Sequence, residues 1–329
     1  MNIFDNTNKN FILSLCVPTY NQPDAVRRTL KSIIPQATDE VEILIRDDST
    51  NNLTEQIIKS FSDFKNLRYF RGVKEGVGGI DKALIFLTQE ARGDFVWWLG
   101  DDVLVEGAIE RVIKLIKDSP EISFIWVNSC DINNKNDVAF ELRGDKFFDN
   151  RNQVLEENIG MLGFISSTIF KREKSLSGIE NSKKYIGSAF VSLYLILHVL
   201  SQNGKYYFLS NPYILAEPKL AGGPRWYDAF QVFGINLYKI VYEFKDKFDN
   251  RSIKKALSDN FRKTWRAVLV ERALGFTTGF GSKTPKIKQM FQYYWNYPEF
   301  WIALPLFLMP RFILRIFYKF FRNIKKINK

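Results

Sequence analysis

The chain has 329 residues, 46% hydrophobic and 25% charged, a balance that excludes disordered and fibrous classes and suits one large α/β domain with an appendage. Its formal net charge of +11 points to an anionic partner: nucleic acid, a membrane surface or phosphorylated substrates. The placement of that charge narrows the choice, because residues 300–329 carry Arg311, Arg315, Lys319, Arg322, Lys325, Lys326 and Lys329 with no acidic residue, leaving a body of only +4. A basic nucleic-acid-binding body is not expected.

Cys16 and Cys130 are the only cysteines and have no paired metal or redox spacing, so neither a disulfide framework nor a cysteine zinc site is expected. The start MNIFDNTNKN is polar, and the run Phe11–Val17 is short and lacks a small-residue cleavage pattern. No signal peptide is expected. The apolar run Phe300–Met309 is interrupted by Pro305 and followed by Pro310, short of the roughly 20 residues a membrane span requires. A spanning helix is not expected there, while a tilted or re-entrant segment stays open.

In chain order, residues 12–17, 41–46, 67–70, 95–99 and 123–127 are short runs rich in β-branched or aromatic residues and read as buried strands. Between them the period changes. Val26, Leu30, Ile33 and Ile34 follow helical spacing after Pro23, and so do Leu53, Ile57, Ile58 and Phe61. Ile80, Ala83, Leu84 and Leu87 form a third set, and Ala108, Ile109, Val112, Ile113 and Ile116 a fourth. The alternation predicts an α/β fold with a mostly parallel sheet covered on both faces. Beyond residue 130 the pattern loosens: 131–152 is polar and turn-rich, 153–162 helical, 163–170 a strand, 190–200 an apolar helix, 206–209 and 213–216 strands, and 227–275 mainly helical.

Ligands of open α/β sheets bind beyond the carboxyl ends of the strands. The residues expected there are Pro18-Thr-Tyr-Asn21, Asp47-Asp-Ser-Thr-Asn51, Arg71-Gly72 and Gly100-Asp-Asp102. Asp101 and Asp102 are hard oxygen donors suited to Mg²⁺ or Mn²⁺ with positions left for substrate phosphates, although a capped turn explains them too. Asp47 and Asp48 read equally as an Asx-turn or as acceptors for a nucleobase or ribose. Tyr20 offers a flat surface for a base. Gly76, Gly78 and Gly79 match neither phosphate-loop fingerprint and read as a flexible entry to the helix containing Asp81.

The ordered series LSLCVPTYN (13–21), ILIRDDSTN (43–51), EGVGGIDKAL (75–84) and ARGDFVWWLGDD (91–102) resembles the family 2 glycosyltransferases with the GT-A fold. The resemblance covers about residues 11–130 and continues weakly to about 216. Trp98-Leu-Gly-Asp-Asp102 looks most like members that build O-antigen and related surface glycans, abequosyltransferase-like ones included. It implies a GT-A, Rossmann-like sheet flanked by helices, with residues 1–216 binding the nucleotide sugar and carrying catalysis, and a helical region 217–329. By the same resemblance Pro18 and Tyr20 border the nucleotide, Asp48 binds the base, Asp101 lies near the ribose or diphosphate, and Asp102, with Asp101, holds the metal. The reaction implied is inverting transfer of one sugar from a nucleotide-sugar donor.

This sequence departs from the family where a catalytic base is expected, since Tyr185-Ile-Gly-Ser-Ala-Phe190 contains no acid. Glu180 is the nearest candidate base, with Asp131 and Glu217 also open; each reads as well as a solvated surface carboxylate. His198 sits in an apolar helix and reads as a packed residue. Gly222-Gly-Pro-Arg225-Trp226 resembles the Arg-Trp of processive synthases without the preceding Gln, which favours a non-processive enzyme; Lys219 or Arg225 can close over the diphosphate. From Arg311 onward the basic residues recur at helical spacing beside apolar and aromatic ones, so 300–329 is expected to be a basic amphipathic helix lying on an anionic membrane. The acceptor is then expected to be a glycan on polyprenyl diphosphate, at the cytoplasmic face of the inner membrane. The competing reading is a noncatalytic nucleotide-sugar-binding or scaffold protein.

Overall fold

A computed structural model describes residues 10–72, 79–100, 102–216, 230–274 and 287–327. The chain divides into two compact units, Met1–Val154 with Met161–Pro218, and Leu155–Gly160 with Lys219–Lys329.

The first unit is built on one sheet of β1 (Phe11–Thr19), β2 (Val41–Asp47), β3 (Leu67–Arg71), β4 (Gly93–Trp98), β5 (Val103–Leu104), β6 (Ile122–Asp131), β7 (Asn134–Val138), β8 (Lys146–Phe148), β9 (Thr168–Lys171) and β10 (Lys205–Ala216). The order is β3-β2-β1-β4-β9-β6-β10-β5, with β7 on β6 and β8 on β10. β3, β2, β1 and β4 run parallel. β9 runs against both of its neighbours, β4 and β6, and β10 is parallel to β6. The carboxyl ends of β1, β2, β3, β4 and β6 therefore share one edge.

Helices α1 (Pro23–Ile33), α2 (Leu53–Lys59), α3 (Gly79–Glu90), α4 (Ala108–Asp118), α6 (Arg172–Leu176), α7 (Ile179–Ser182) and α8 (Val191–Leu200) connect or cover these strands, and α5 (Arg151–Asn158) spans the boundary at Val154 between the two units. Leu13, Leu15, Cys16 and Val17 of β1 are all buried, the continuous apolar run of a strand covered on both faces. α1 starts with Pro23, whose missing N–H costs nothing in a first turn, and buries Val26, Leu30 and Ile33.

The second half of the sheet differs from the sequence expectation. The strand expected over 163–170 begins only at Thr168 and runs to Lys171, because Ile165–Ser167 forms a 3₁₀ turn. The 206–209 and 213–216 runs form one strand, interrupted by register shifts around Pro212, which has no N–H for a ladder bond. β5, β7 and β8 are additional. β5 (Val-Leu) and β8 (Lys-Phe-Phe) are too short to show a period and β7 (Asn-Lys-Asn-Asp-Val) is polar, and they exist as partners of longer strands.

In the second unit, α9 (Leu237–Glu243) follows a π-helical turn over Phe230–Asn236, and α10 (Asn250–Leu274), α11 (Ile287–Tyr294), α12 (Pro298–Leu308) and α13 (Arg311–Ile327) follow. Tyr294 is its centre, stacked 4.2 Å from Phe261 and donating through its hydroxyl to the Gly234 carbonyl at 2.5 Å. The expected single helix over 300–329 is corrected: it is two helices bent 111° apart, because Pro310 cannot continue the hydrogen bonding of α12. No single described helix is long and apolar enough to cross a membrane.

Candidate active site

The loops after β1 and β2 are latched together. Asn21 adopts a left-handed φ of 53°, tolerated by Asn better than by most residues. Its N–H donates to Ser49 Oγ at 2.7 Å, and its side-chain Oδ1 accepts from the Thr50 N–H at 2.9 Å. Between Pro18 and Asn21 the Tyr20 side chain stands 59% exposed, a flat ring beside the strand ends with area left for a stacked base.

Asp47 and Asp48 take different roles. Asp47 is fully buried, accepting the Ser49 N–H at 2.9 Å through Oδ1, and the Tyr69 hydroxyl at 2.8 Å and Arg71 Nη1 at 2.7 Å through Oδ2. Arg71 Nη2 donates to the Ser49 and Asn51 carbonyls at 2.7 and 2.8 Å. The guanidinium expected in the crevice is thus a clasp on the 47–51 loop. Burial pushes the Tyr69 hydroxyl up to about 12, with Asp47 adding to the rise and Arg71 opposing it.

Asp48 lies over the end of β3. Its Oδ1 accepts from Arg46 Nε at 3.1 Å, and that guanidinium lies 4.7 Å from the centre of the Phe86 ring on α3. A Cβ on Gly72 would meet Asp48 Oδ1 at 1.6 Å, so the carboxylate occupies space that only glycine leaves open.

The acidic turn after β4 is anchored from three sides. Asp102 is 5% exposed and its Oδ2 accepts from Ser166 Oγ at 2.5 Å. Ser166 Oγ also accepts the Gly100 N–H at 3.0 Å, and the Ser166 carbonyl accepts Trp97 Nε1 at 2.7 Å. Thr29 Oγ1 of α1 donates to the Asp102 carbonyl at 2.9 Å. Asp101 lies outside the described residues, as do Gly76, Gly78, Glu217, Lys219 and Arg225. Among the described residues no cluster of three or more His, Cys, Asp or Glu forms a metal cage. An oriented carboxylate in an acidic turn fits instead a Mg²⁺- or Mn²⁺-type cation held by one or two carboxylates and substrate phosphates.

The turn before α8 is held by Asp81, whose position in the sequence predicts only a place in the first turn of a helix. Asp81 of α3 is buried; its Oδ2 accepts the Gly187 and Ala189 N–H groups, each at 2.9 Å, and its Oδ1 accepts that of Val191 at 3.1 Å. Burial pushes the Asp81 carboxyl up, against the lowering effect of these N–H groups. Phe190, next in the turn, packs against Gly163, where a Cβ would lie 2.1 Å from its ring. Three residues on is Ser166.

Glu180 sits on α7 with its side chain 78% exposed, paired with Lys183 Nζ at 2.6 Å. Asp131 ends β6 and accepts the Asn133 N–H at 2.7 Å in an Asx turn. His198 packs beside Gly178 and contacts Ser177 Oγ at 2.9 Å; burial lowers its pKa.

Comparison with known proteins defines the class. Residues 14–174 match the family described as Glycosyl transferase family 2, and this stretch is a domain of that family. The chain is 24% identical over 223 residues to the abequosyltransferase RfbV of Salmonella typhimurium, covering 63% of this chain and 66% of the relative. It is 26% identical over 175 residues to the GalNAc(5)-diNAcBac-PP-undecaprenol beta-1,3-glucosyltransferase of Campylobacter jejuni, covering 52% and 54%. The chain thus spans between half and two thirds of these relatives. Among solved structures, S. aureus TarS 1–349 in complex with UDP superposes with a TM-score of 0.64 at 16% identity, over 87% of this chain and 81% of that one. TarS 1–349 in complex with UDP-GlcNAc gives 0.59 at 15% identity, over 90% and 80%. The fold is GT-A, as the sequence series implied.

Proposed function

We propose that this chain is an inverting, metal-dependent glycosyltransferase that moves one sugar from a nucleotide-sugar donor to a lipid-linked glycan in bacterial surface polysaccharide synthesis of the O-antigen or capsule type. The observation that carries the reading is the set of braced acidic and aromatic residues at one sheet edge: Tyr20 after β1, Asp48 after β2 and Asp102 after β4. The names of the relatives support the acceptor class, since one acts on an undecaprenol-diphosphate glycan and another is a UDP-Glc:alpha-D-GlcNAc-diphosphoundecaprenol beta-1,3-glucosyltransferase.

In this reading Pro18 and Tyr20 border the nucleotide, Asp48 accepts hydrogen bonds from the base, and Asp101 and Asp102 would hold a Mg²⁺ or Mn²⁺ ion. When bound, the cation stabilises charge developing on the leaving diphosphate. The acceptor hydroxyl oxygen bonds to the anomeric carbon opposite the leaving group. The bond from that carbon to the diphosphate oxygen breaks, and the nucleoside diphosphate leaves with the electron pair. The acceptor proton passes to a carboxylate, a role assigned to Glu180, which must first exchange its Lys183 partner. Arg225, in the segment following β10, is assigned to the diphosphate. The chain works peripherally at the cytoplasmic face of the inner membrane, through its C-terminal region.

The test is thermal stabilisation by a panel of nucleoside diphosphates and nucleotide sugars with Mg²⁺ or Mn²⁺, since a ligand that binds the folded state raises its apparent stability. A metal-dependent shift with one base class is expected. No shift with any member of the panel overturns the donor assignment.

A further inference from the structure

Helices α12 and α13 each carry two apolar sides. On α12, Phe300, Ala303 and Phe307 are buried, the stripe of a helix docked on a core. Away from that stripe, Trp301, Ile302 and Leu308 are 52%, 63% and 64% exposed, where a helix on a soluble surface carries polar groups. On α13, Leu314 is buried while Phe312, Ile316 and Phe320 are all exposed. Arg311, Arg315 and Lys319 are exposed as well, each one position before one of these, so a cationic stripe runs beside an apolar one. The two helices meet at Met309-Pro310 and diverge by 111°, which forms an elbow rather than a rod.

The charge decides what covers this surface. Residues 300–329 contain seven basic residues and no acidic one, so a second copy of the chain would bring like charge against like. An anionic bilayer offers what both stripes require, an acyl boundary for the aromatic side chains and phosphates for the cations. The Trp301 indole N–H is already taken by the Trp295 carbonyl at 2.7 Å, so its exposed ring offers an apolar face of the kind that sits at the membrane interface. We infer that the α12–α13 elbow seats the chain on an anionic bilayer, with Trp301, Ile302, Leu308, Phe312, Ile316 and Phe320 at the acyl boundary and Arg311, Arg315 and Lys319 among lipid phosphates. The inference rests on the reading that the chain works at a membrane surface, and it names the part of the fold and the lipid class.

The test is co-sedimentation of the full chain with vesicles of phosphatidylcholine alone and of phosphatidylcholine with about one third phosphatidylglycerol, at low and high salt. Binding is expected on the anionic vesicles and lost with salt. Ile302→Asp together with Ile316→Asp is expected to weaken it by about tenfold or more. The triple variant Arg311→Gln, Arg315→Gln, Lys319→Gln is expected to weaken it by about fivefold per cation and to reduce the salt dependence. These side chains are exposed, and circular dichroism checks that each variant keeps its helices. Anionic-vesicle binding that persists unchanged in both variants overturns the elbow while leaving the membrane reading intact. Failure of the unaltered chain to bind either vesicle overturns both. A dimer that Ile302→Asp with Ile316→Asp dissociates, without vesicle binding, assigns the surface to a second copy.

Discussion

Ser166 Oγ donates to Asp102 Oδ2 at 2.5 Å while accepting the Gly100 N–H at 3.0 Å, so one buried hydroxyl fixes both the acidic side chain and the start of its turn. Partners of this kind orient metal-binding carboxylates, and their loss lowers metal affinity or activity by about 10- to 100-fold. Ser166→Ala is expected to raise the Mg²⁺ or Mn²⁺ concentration needed for half-maximal transfer by that factor, in a variant that still melts cooperatively but is about 1–3 kcal/mol less stable for the loss of two hydrogen bonds of a buried hydroxyl. An unaltered metal titration would separate Ser166 from the site.

Gly72 offers a test of Asp48 that leaves the acid in place. A Cβ at this position would lie 1.6 Å from Asp48 Oδ1, and the carboxylate must swing away from Arg46. Gly72→Ala is expected to weaken nucleoside diphosphate binding by about tenfold, the value of one hydrogen bond to a charged group. Calorimetric titration reads this directly. Wild-type affinity in the variant removes Asp48 from base recognition.

Much of the donor half was legible because its signals are local. The apolar runs of β1, β2 and β4 are dictated by burial on both faces, Pro23 marks the start of α1, and the polar residues directly after the strands are where a parallel sheet places its ligands. What escaped is what depends on distant partners. Nothing near Ser166 announces a residue 64 positions before it, and Asp81 reads as an ordinary first-turn carboxylate until the 187–191 turn folds onto it. Asp47 and Asp48 are chemically identical in the sequence and separate only once Tyr69 and Arg71 close around the first. Pro310 marks a helix stop in the sequence, but the angle between α12 and α13 is not written there, since helical spacing resumes directly after it.

Asp81 is expected to be a positioning residue for the turn that opens α8. That turn holds Ala189 at a left-handed φ of 60°, a conformation costing about 1–2 kcal/mol outside glycine, and three N–H groups converge on one carboxylate to keep it. Asp81→Ala is expected to lower unfolding stability by about 2–3 kcal/mol in urea titration, through N–H groups left without their acceptor. A loss below about 0.5 kcal/mol, the usual range of surface substitutions, would contradict the clamp.

The same carboxyl predicts a pH dependence. Burial raises its pKa in the folded state above the ordinary 3.8, so the folded protein holds this proton more tightly than the unfolded chain. The resulting stability is fully present below the ordinary value and is lost as pH rises through the raised one. The stability difference between the unaltered protein and Asp81→Asn is therefore expected to shrink as pH rises from 4 toward 7. A difference that grows over that range contradicts the sign of the shift.

The most direct test of the proposed chemistry is transfer itself. The purified chain is incubated with a nucleotide sugar chosen from the stabilisation panel and with a polyprenyl-diphosphate glycan in vesicles, and sugar incorporation into lipid is measured beside Asp102→Ala. The account predicts metal-dependent incorporation by the unaltered chain and its loss, by about a hundred- to a thousandfold, in a variant that still melts cooperatively. Undiminished transfer by Asp102→Ala, or full transfer with chelator present, would contradict it.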